Sequence, residues 1–176
     1  RKIKSGNYPT PDDLQYMMWK KMNQESMVNT PVDASIAGRY YQTQAIQAVA
    51  ERFEQDKFRE SLLVMATGTG KTRTATALVD VMQKSKWAKR ILFLVDRRAL
   101  RDQALSAYKE HLSEPSTYPK PDDRGFPLDR RVYVQTYHTM LGVIQKQENY
   151  VSPFFFDLII ADEAHRSLFN TFKEII

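Results

Sequence analysis

The string Ala66-Thr67-Gly68-Thr69-Gly70-Lys71-Thr72 constrains this chain more than any other feature, because it asks for a tight turn, a helix start and an anion at one place. Gly68 and Gly70 have access to backbone angles closed to other residues, so successive N–H groups can point inward around phosphate oxygens. Helix-compatible sequence follows at once from Lys71 to about Gln83, which brings a helix N-terminus and its partial positive charge to the same oxygens. In a phosphate loop of this class the lysine, here Lys71, reaches the β- and γ-phosphates of ATP, and the next hydroxyl, Thr72, ligates Mg²⁺. The match to GxxxxGK(S/T) is partial, since Met65 stands at the first glycine position. A turn whose glycines only let the chain reverse explains Gly68 and Gly70 but not the Lys-Thr pair behind them.

A second string, Asp162-Glu163-Ala164-His165, follows the apolar run Leu158-Ile159-Ile160-Ala161. Ligands of parallel α/β sheets bind beyond the carboxyl ends of the strands, so these acids meet Lys71 if the two strands run parallel and close together. Asp162 is then placed to hold Mg²⁺ with waters completing its shell, and Glu163 to orient and deprotonate the attacking water. An acidic pair after a strand is, taken alone, more often a solvated helix start. Beside a phosphate loop it reads as the second half of an ATP site.

Composition bounds what such a site can belong to. The 176 residues are 42% hydrophobic and 27% charged, which suits one globular domain with a sizeable core. The absence of cysteine excludes disulfides and thiolate metal sites, and His111, His138 and His165 lack zinc-ligand spacing. No apolar stretch approaches a membrane span, so no membrane partner and a cytoplasmic location are expected. The formal net charge of +5 permits a polyanionic partner. Lys84, Lys86, Lys89 and Arg90 read as a solvated face, whereas Arg97, Arg98 and Arg101 directly follow the apolar run 91–95 and are suited to phosphate contacts.

The periodicity predicts a helix from Tyr40 to about Lys57, a strand over 61–66, a helix over 71–84, a strand over 91–95 and a helix over 97–111. A strand over 131–135, a helix over 137–145 and a strand over 157–161 complete the pattern. That alternation marks an α/β fold with a mostly parallel sheet and helices on both faces. The proline-rich segment from Leu112 to Asp129 and the stretch from Lys146 to Ser152 read as surface loops. Residues 1–34 read as an N-terminal arm, with a cap-like Thr10-Pro11-Asp12-Asp13 before a short amphipathic helix, and 35–176 as the ATP-binding domain. Met17, Met18, Trp19 and Met22 are expected to pack on the core or on a neighbouring domain.

Five strings occur in order: Arg39-Tyr40-Tyr41-Gln42, the phosphate loop, Val95-Asp96-Arg97-Arg98, Val134-Gln135-Thr136-Tyr137-His138 and Asp162-Glu163-Ala164-His165-Arg166-Ser167. Together they resemble the first RecA-like P-loop NTPase domain of superfamily 2 helicases, over about residues 39–168. The Tyr-Tyr-Gln, Val-Asp-Arg-Arg and Asp-Glu-Ala-His-Arg-Ser forms are most similar to the motor (R) subunit of type I restriction enzymes, and Tyr8 to Leu14 resembles the linker between that subunit's nuclease and motor domains.

The resemblance implies that Gln42 reads adenine and Arg39 lies on the purine, beside Thr67, Gly68, Thr69, Gly70, Lys71 and Thr72 on the phosphates. It implies that Arg97, Arg98 and Thr136 touch nucleic-acid backbone, and that His165 couples hydrolysis to a second motor domain. ATP and Mg²⁺ are the implied cofactors. Double-stranded DNA, the specificity and methylation subunits, and a second RecA-like domain of the same subunit are the implied partners. The segment is accordingly expected to be an incomplete first motor domain of a larger subunit, truncated after the acidic motif, with the nuclease chemistry elsewhere. A DNA-repair or remodelling helicase, an RNA helicase and a non-catalytic nucleotide-binding module remain the alternatives.

Overall fold

The computed structural model describes residues 9, 11–112, 116–120, 125–145, 151 and 154–163. In chain order these form α1 (Pro11–Asn23), α2 (Tyr40–Glu54), α3 (Lys71–Lys84), β1 (Ile91–Val95), α4 (Arg98–His111), β2 (Thr117–Tyr118), β3 (Val132–Thr136), α5 (Tyr137–Gln145) and β4 (Leu158–Ala161). The strands make one parallel sheet in the order β2-β3-β1-β4. β1 is central, pairing Phe93 with Val134 on one side and with Ile160 on the other.

The central strand is an uninterrupted apolar run because both of its faces are covered. Ile91, Phe93 and Val95 point into a core shared with Val132, Val134, α2, α3 and α4. Leu92 and Leu94 point the other way, toward Tyr133, Met140 of α5, Phe126 and Phe155. Each such side chain contributes roughly 1.5–3 kcal/mol on burial. Phe93 also meets the ring of Tyr108 edge to face at 5.6 Å between centroids. On α2 the helical spacing of Ile46, Val49 and Ala50 puts all three in the first core. Met27, Ile36 and Ala37 join them, so the chain just after α1 packs with the domain.

Two expectations are corrected and a third is narrowed. Residues 61–66 form no strand, and Leu62 and Val64 are 79% and 88% exposed. A strand persists only where a neighbour takes its backbone N–H and C=O groups, and the described strands pair among themselves, with none beside this run. The 112–129 segment is not simply a surface loop, since Thr117 and Tyr118 pair with β3 and Phe126 stacks on Tyr133 at 5.1 Å. Its aromatic anchors override the proline signal. Of the two places expected for Met17, Met18, Trp19 and Met22, the core of this domain is not the one they take, because α1 turns them outward, Met22 to 76% exposure. The 146–150 and 152 positions of the second expected loop lie outside the described residues.

What α1 buries instead is polar. The Tyr16 hydroxyl and the Lys20 ammonium donate to the Asp157 carboxylate at 3.1 and 3.2 Å, and Asp13 pairs with Arg90 at 3.7 Å. Asp157 also accepts the backbone N–H groups of Lys89 and Arg90 at 2.9 and 3.0 Å. Burial first, then the charge and hydrogen bond of Asp157, push the Tyr16 phenol far above its ordinary value, so it stays a donor. One carboxylate thus ties α1 to the starts of β1 and β4. Asp157→Ala is expected to cost about 3 kcal/mol, the loss typical when one partner of a buried charge cluster is removed. Amide exchange should accelerate across α1 while the β1 amides stay protected.

A second clasp lies at the end of α2, where Glu54 accepts the N–H groups of Met27 and Val28 at 2.6 and 3.0 Å. Burial works against its charge, but hydrogen bonds from the Val28 N–H, from Ser26 and from the Met27 N–H outweigh it and hold the carboxyl below its ordinary value. A depressed folded value means stability that is present above the unfolded pKa, about 4.3, and is lost as pH falls through the folded one. In denaturant titrations the stability gap between the wild type and Glu54→Gln should therefore shrink as pH drops from about 7 to below about 4.

Candidate nucleotide site

The parallel register brings the carboxyl ends of the strands to one edge, with Val95 beside Thr136 and Leu94 beside Ala161. Residues leaving the strands there share that edge: Arg97 and Arg98 after β1, Thr136 at the end of β3, Asp162 and Glu163 after β4. α3 starts at the same edge. Lys71 Nζ lies 3.3 Å from Glu163 Oε1, so the two strings far apart in sequence meet in space. Both side chains are about one-third exposed, at 34% and 32%, and in that setting such a pair adds little to stability. Its significance is positional.

The acid turn is held from two sides. The Asp162 N–H donates to the Leu94 carbonyl at 2.9 Å, extending the β1–β4 ladder, and the Tyr137 hydroxyl donates to the Asp162 carbonyl at 3.1 Å. Asp162 Oδ1 accepts the Glu163 N–H at 3.0 Å. Glu163 sits at φ 51°, a left-handed backbone that costs a non-glycine residue about 1–2 kcal/mol and turns the chain sharply enough to face Lys71.

The loop is held from α2. Gln42 is 3% exposed, and its Nε2 donates to the carbonyls of Thr69 and Gly70 at 3.2 and 3.4 Å while Oε1 accepts the Arg39 N–H at 3.3 Å. The Tyr41 hydroxyl donates to the Thr69 carbonyl at 2.9 Å and accepts from Arg39 Nη1 at 2.8 Å. Thr67 and Gly68 form the exposed tip of the turn. Gly68 at φ 79° has open space where a Cβ would stand, whereas at Gly70, φ 87°, a Cβ would lie 2.6 Å from Gln42 Nε2.

The start of α3 fits an anion. Its N-cap, Gly70, offers no side-chain cap and its first turn holds no acid, so the first N–H groups are left for a ligand beside Lys71 and Thr72. Thr72, half-buried in that turn, and Asp162 supply only hard oxygen donors. That set suits a Mg²⁺ ion that keeps waters and takes further ligands from phosphate. Arg97 and Arg98 are exposed at the start of α4, where Arg97 pairs with Asp96 at 3.4 Å. Thr136 is 6% exposed, and its hydroxyl is engaged with Thr139 at 2.9 Å at the start of α5. His165 lies outside the described residues. Sequence reading missed Tyr41 and Tyr137 as props of the site; the only signal was their place, one residue before Gln42 and one after Thr136.

A parallel sheet covered on both faces, with a glycine loop opening a helix and an acid turn at the same edge, defines a RecA-like α/β domain. The chain belongs to the ResIII family, described as type III restriction enzyme, res subunit, which matches residues 35–176. It is 35% identical over 164 residues to the type I restriction enzyme EcoKI endonuclease subunit of Escherichia coli (strain K12), covering 89% of this chain and 14% of that protein. It is also 35% identical over 175 residues to the type I restriction enzyme EcoAI endonuclease subunit of Escherichia coli, covering 94% of this chain and 21% of that protein. The chain thus spans a small part of the curated relatives it matches. No solved structure matches it.

The two glycines make different demands. Gly70→Ala is expected to destabilise the domain by about 1 kcal/mol more than Gly68→Ala, because strained φ is common to both and the clash is not. Gln42→Ala should recover part of the Gly70→Ala loss in a double-mutant cycle read by thermal unfolding.

Proposed function

We propose that this chain is the first motor domain of a type I restriction enzyme R subunit, which binds and hydrolyses ATP–Mg²⁺ to drive movement along double-stranded DNA before cleavage. The observation that carries the reading is the 3.3 Å contact between Lys71 and Glu163. It puts a phosphate-loop ammonium and an acid-turn carboxylate at one sheet edge, where ligands of parallel sheets bind. The names of the relatives, restriction endonuclease subunits, support the assignment to such a system.

Bound Mg²⁺ would supply positive charge to the phosphoryl oxygens. Lys71 leaves Glu163 and turns to the β- and γ-phosphates, assisted by the N–H groups of Thr69, Gly70 and Thr72. Thr72 and Asp162 would hold the metal. Glu163, released from its ion pair, orients the attacking water and takes its proton at Oε1 or Oε2. Arg39 and Gln42 flank the base; since the Gln42 amide braces the loop carbonyls, base recognition and loop shape are linked through one side chain. Arg97 and Arg98 crowd two cations at the start of α4, unfavourable to the helix dipole by itself and favourable once DNA phosphates lie there. Thr136 lies at the same edge as a backbone contact. His165 is proposed as the link to a second RecA-like domain, and the specificity and methylation subunits as the partners that choose the DNA.

Glu163→Gln in the full-length protein tests the assignment. ATP binding should persist while DNA-stimulated hydrolysis falls by about 10²–10⁴-fold, the usual contribution of a general base. Unchanged biological activity in that variant would favour a nucleotide-binding module without catalysis, and hydrolysis at the wild-type rate would remove Glu163 as the base. Stimulation by structured RNA rather than duplex DNA would move the protein to a different helicase branch.

A further inference from the structure

The opposite edge of the sheet holds a cavity. About 710 Å³ of space lies between α1 and the amino ends of β1 and β3, lined by Tyr16, Trp19, Gln83, Lys86, Lys89 and Arg131 among others. It is separated from Lys71 by nearly the whole of α3, about 18 Å at 1.5 Å per residue, so it is no part of the phosphate loop. Its volume falls in the range of small-molecule sites.

Three features bear on what would fill it. Tyr16 and Trp19 present nearly parallel rings, 19° apart with centroids 6.2 Å from each other, and Trp19 remains 45% exposed. Three cationic side chains and one carboxylate, that of Asp12, line the cavity, and of the three cations Lys86 is already paired with Glu25. Lys89 Nζ lies 5.4 Å from the Tyr16 ring centre, which places positive charge next to the aromatic pair. In addition, Gln83 Nε2 is buried with no hydrogen-bond partner among the described residues, a donor that normally finds an acceptor. A small adjoining cavity of about 390 Å³ shares Asp12, Tyr16 and Lys89 and is lined by Arg90, whose buried Nε likewise lacks a hydrogen-bond partner among the described residues.

We propose that this cavity binds a small phosphorylated ligand with a planar ring, a nucleoside monophosphate in chemical class. The ring lies against the Tyr16–Trp19 pair, the phosphate is held by Lys89 and Arg131 with Lys86 at the rim, and Gln83 donates to a ligand oxygen or ring nitrogen. Aromatic faces beside cations are the combination that recognises a base and its phosphate together. The rings alone would accept any apolar body, and the cations alone any anion.

The test is calorimetric titration of the full-length protein with AMP, adenosine and inorganic phosphate, in a Lys71→Ala background that removes the phosphate-loop ammonium. AMP should bind that protein more tightly than either adenosine or inorganic phosphate. Trp19→Ala and Lys89→Glu, both at exposed positions, should each weaken AMP at least about tenfold without lowering the unfolding temperature. No AMP binding in the Lys71→Ala background, or binding unchanged by both second-site variants, would overturn the proposal. Inorganic phosphate binding as tightly as AMP would overturn the ring's part in it.

Discussion

The pairing of β1 with a parallel strand on each side is the constraint on which the rest depends. It buries both faces of Ile91–Val95, so the strand is apolar at every position, and it splits the helices into one layer carrying α2, α3 and α4 and another carrying α5. Because both pairings are parallel, everything that follows β1, β3 and β4 emerges at one edge. An antiparallel β4 would carry Asp162 and Glu163 to the far end of the sheet, leaving Lys71 without its carboxylate. The direction of one strand therefore decides whether two short strings make a site.

Around that edge the polar contacts are concerned with shape more than with stability. The Lys71–Glu163 pair is too exposed to contribute much to folding. Gln42, Tyr41 and Tyr137 instead direct their hydrogen bonds to backbone carbonyls of the loop and of the acid turn, which sets the path of main chain on which a ligand would rest. The strained φ of Glu163 belongs with them, since such angles persist only where neighbours enforce them. At the other edge Asp157 plays the corresponding part, gathering α1, β1 and β4 through hydrogen bonds from Tyr16, Lys20, Lys89 and Arg90.

Much of this was legible in the chain itself. The apolar runs at 91–95 and 157–161 and the helices at 71–84 and 137–145 stand where pattern places them, within a residue or so, because each is a local choice between two periodicities. Lys71, Asp162 and Glu163 were legible as residue types at telling positions. The failures share a cause. The run Leu62-Leu63-Val64 has the composition of a strand, yet no described neighbour stands beside it to pair with. In α1 the apolar residues were expected on the core or on a neighbouring domain, and the core is not the one they take, because Asp157 and Arg90 recruit Asp13, Tyr16 and Lys20 and rotate the methionines outward.

By itself, then, the sequence determined the local grammar: where glycines permit a tight turn, where helices start, which runs are apolar on both sides, and which acids and cations lie at their ends. Only the tertiary structure decided which runs pair, which face of α1 is buried and that Lys71 meets Glu163 rather than solvent. The physical reason is that backbone pairing and charge partnering depend on groups distant along the chain, and local propensity carries no information about which distant group will arrive.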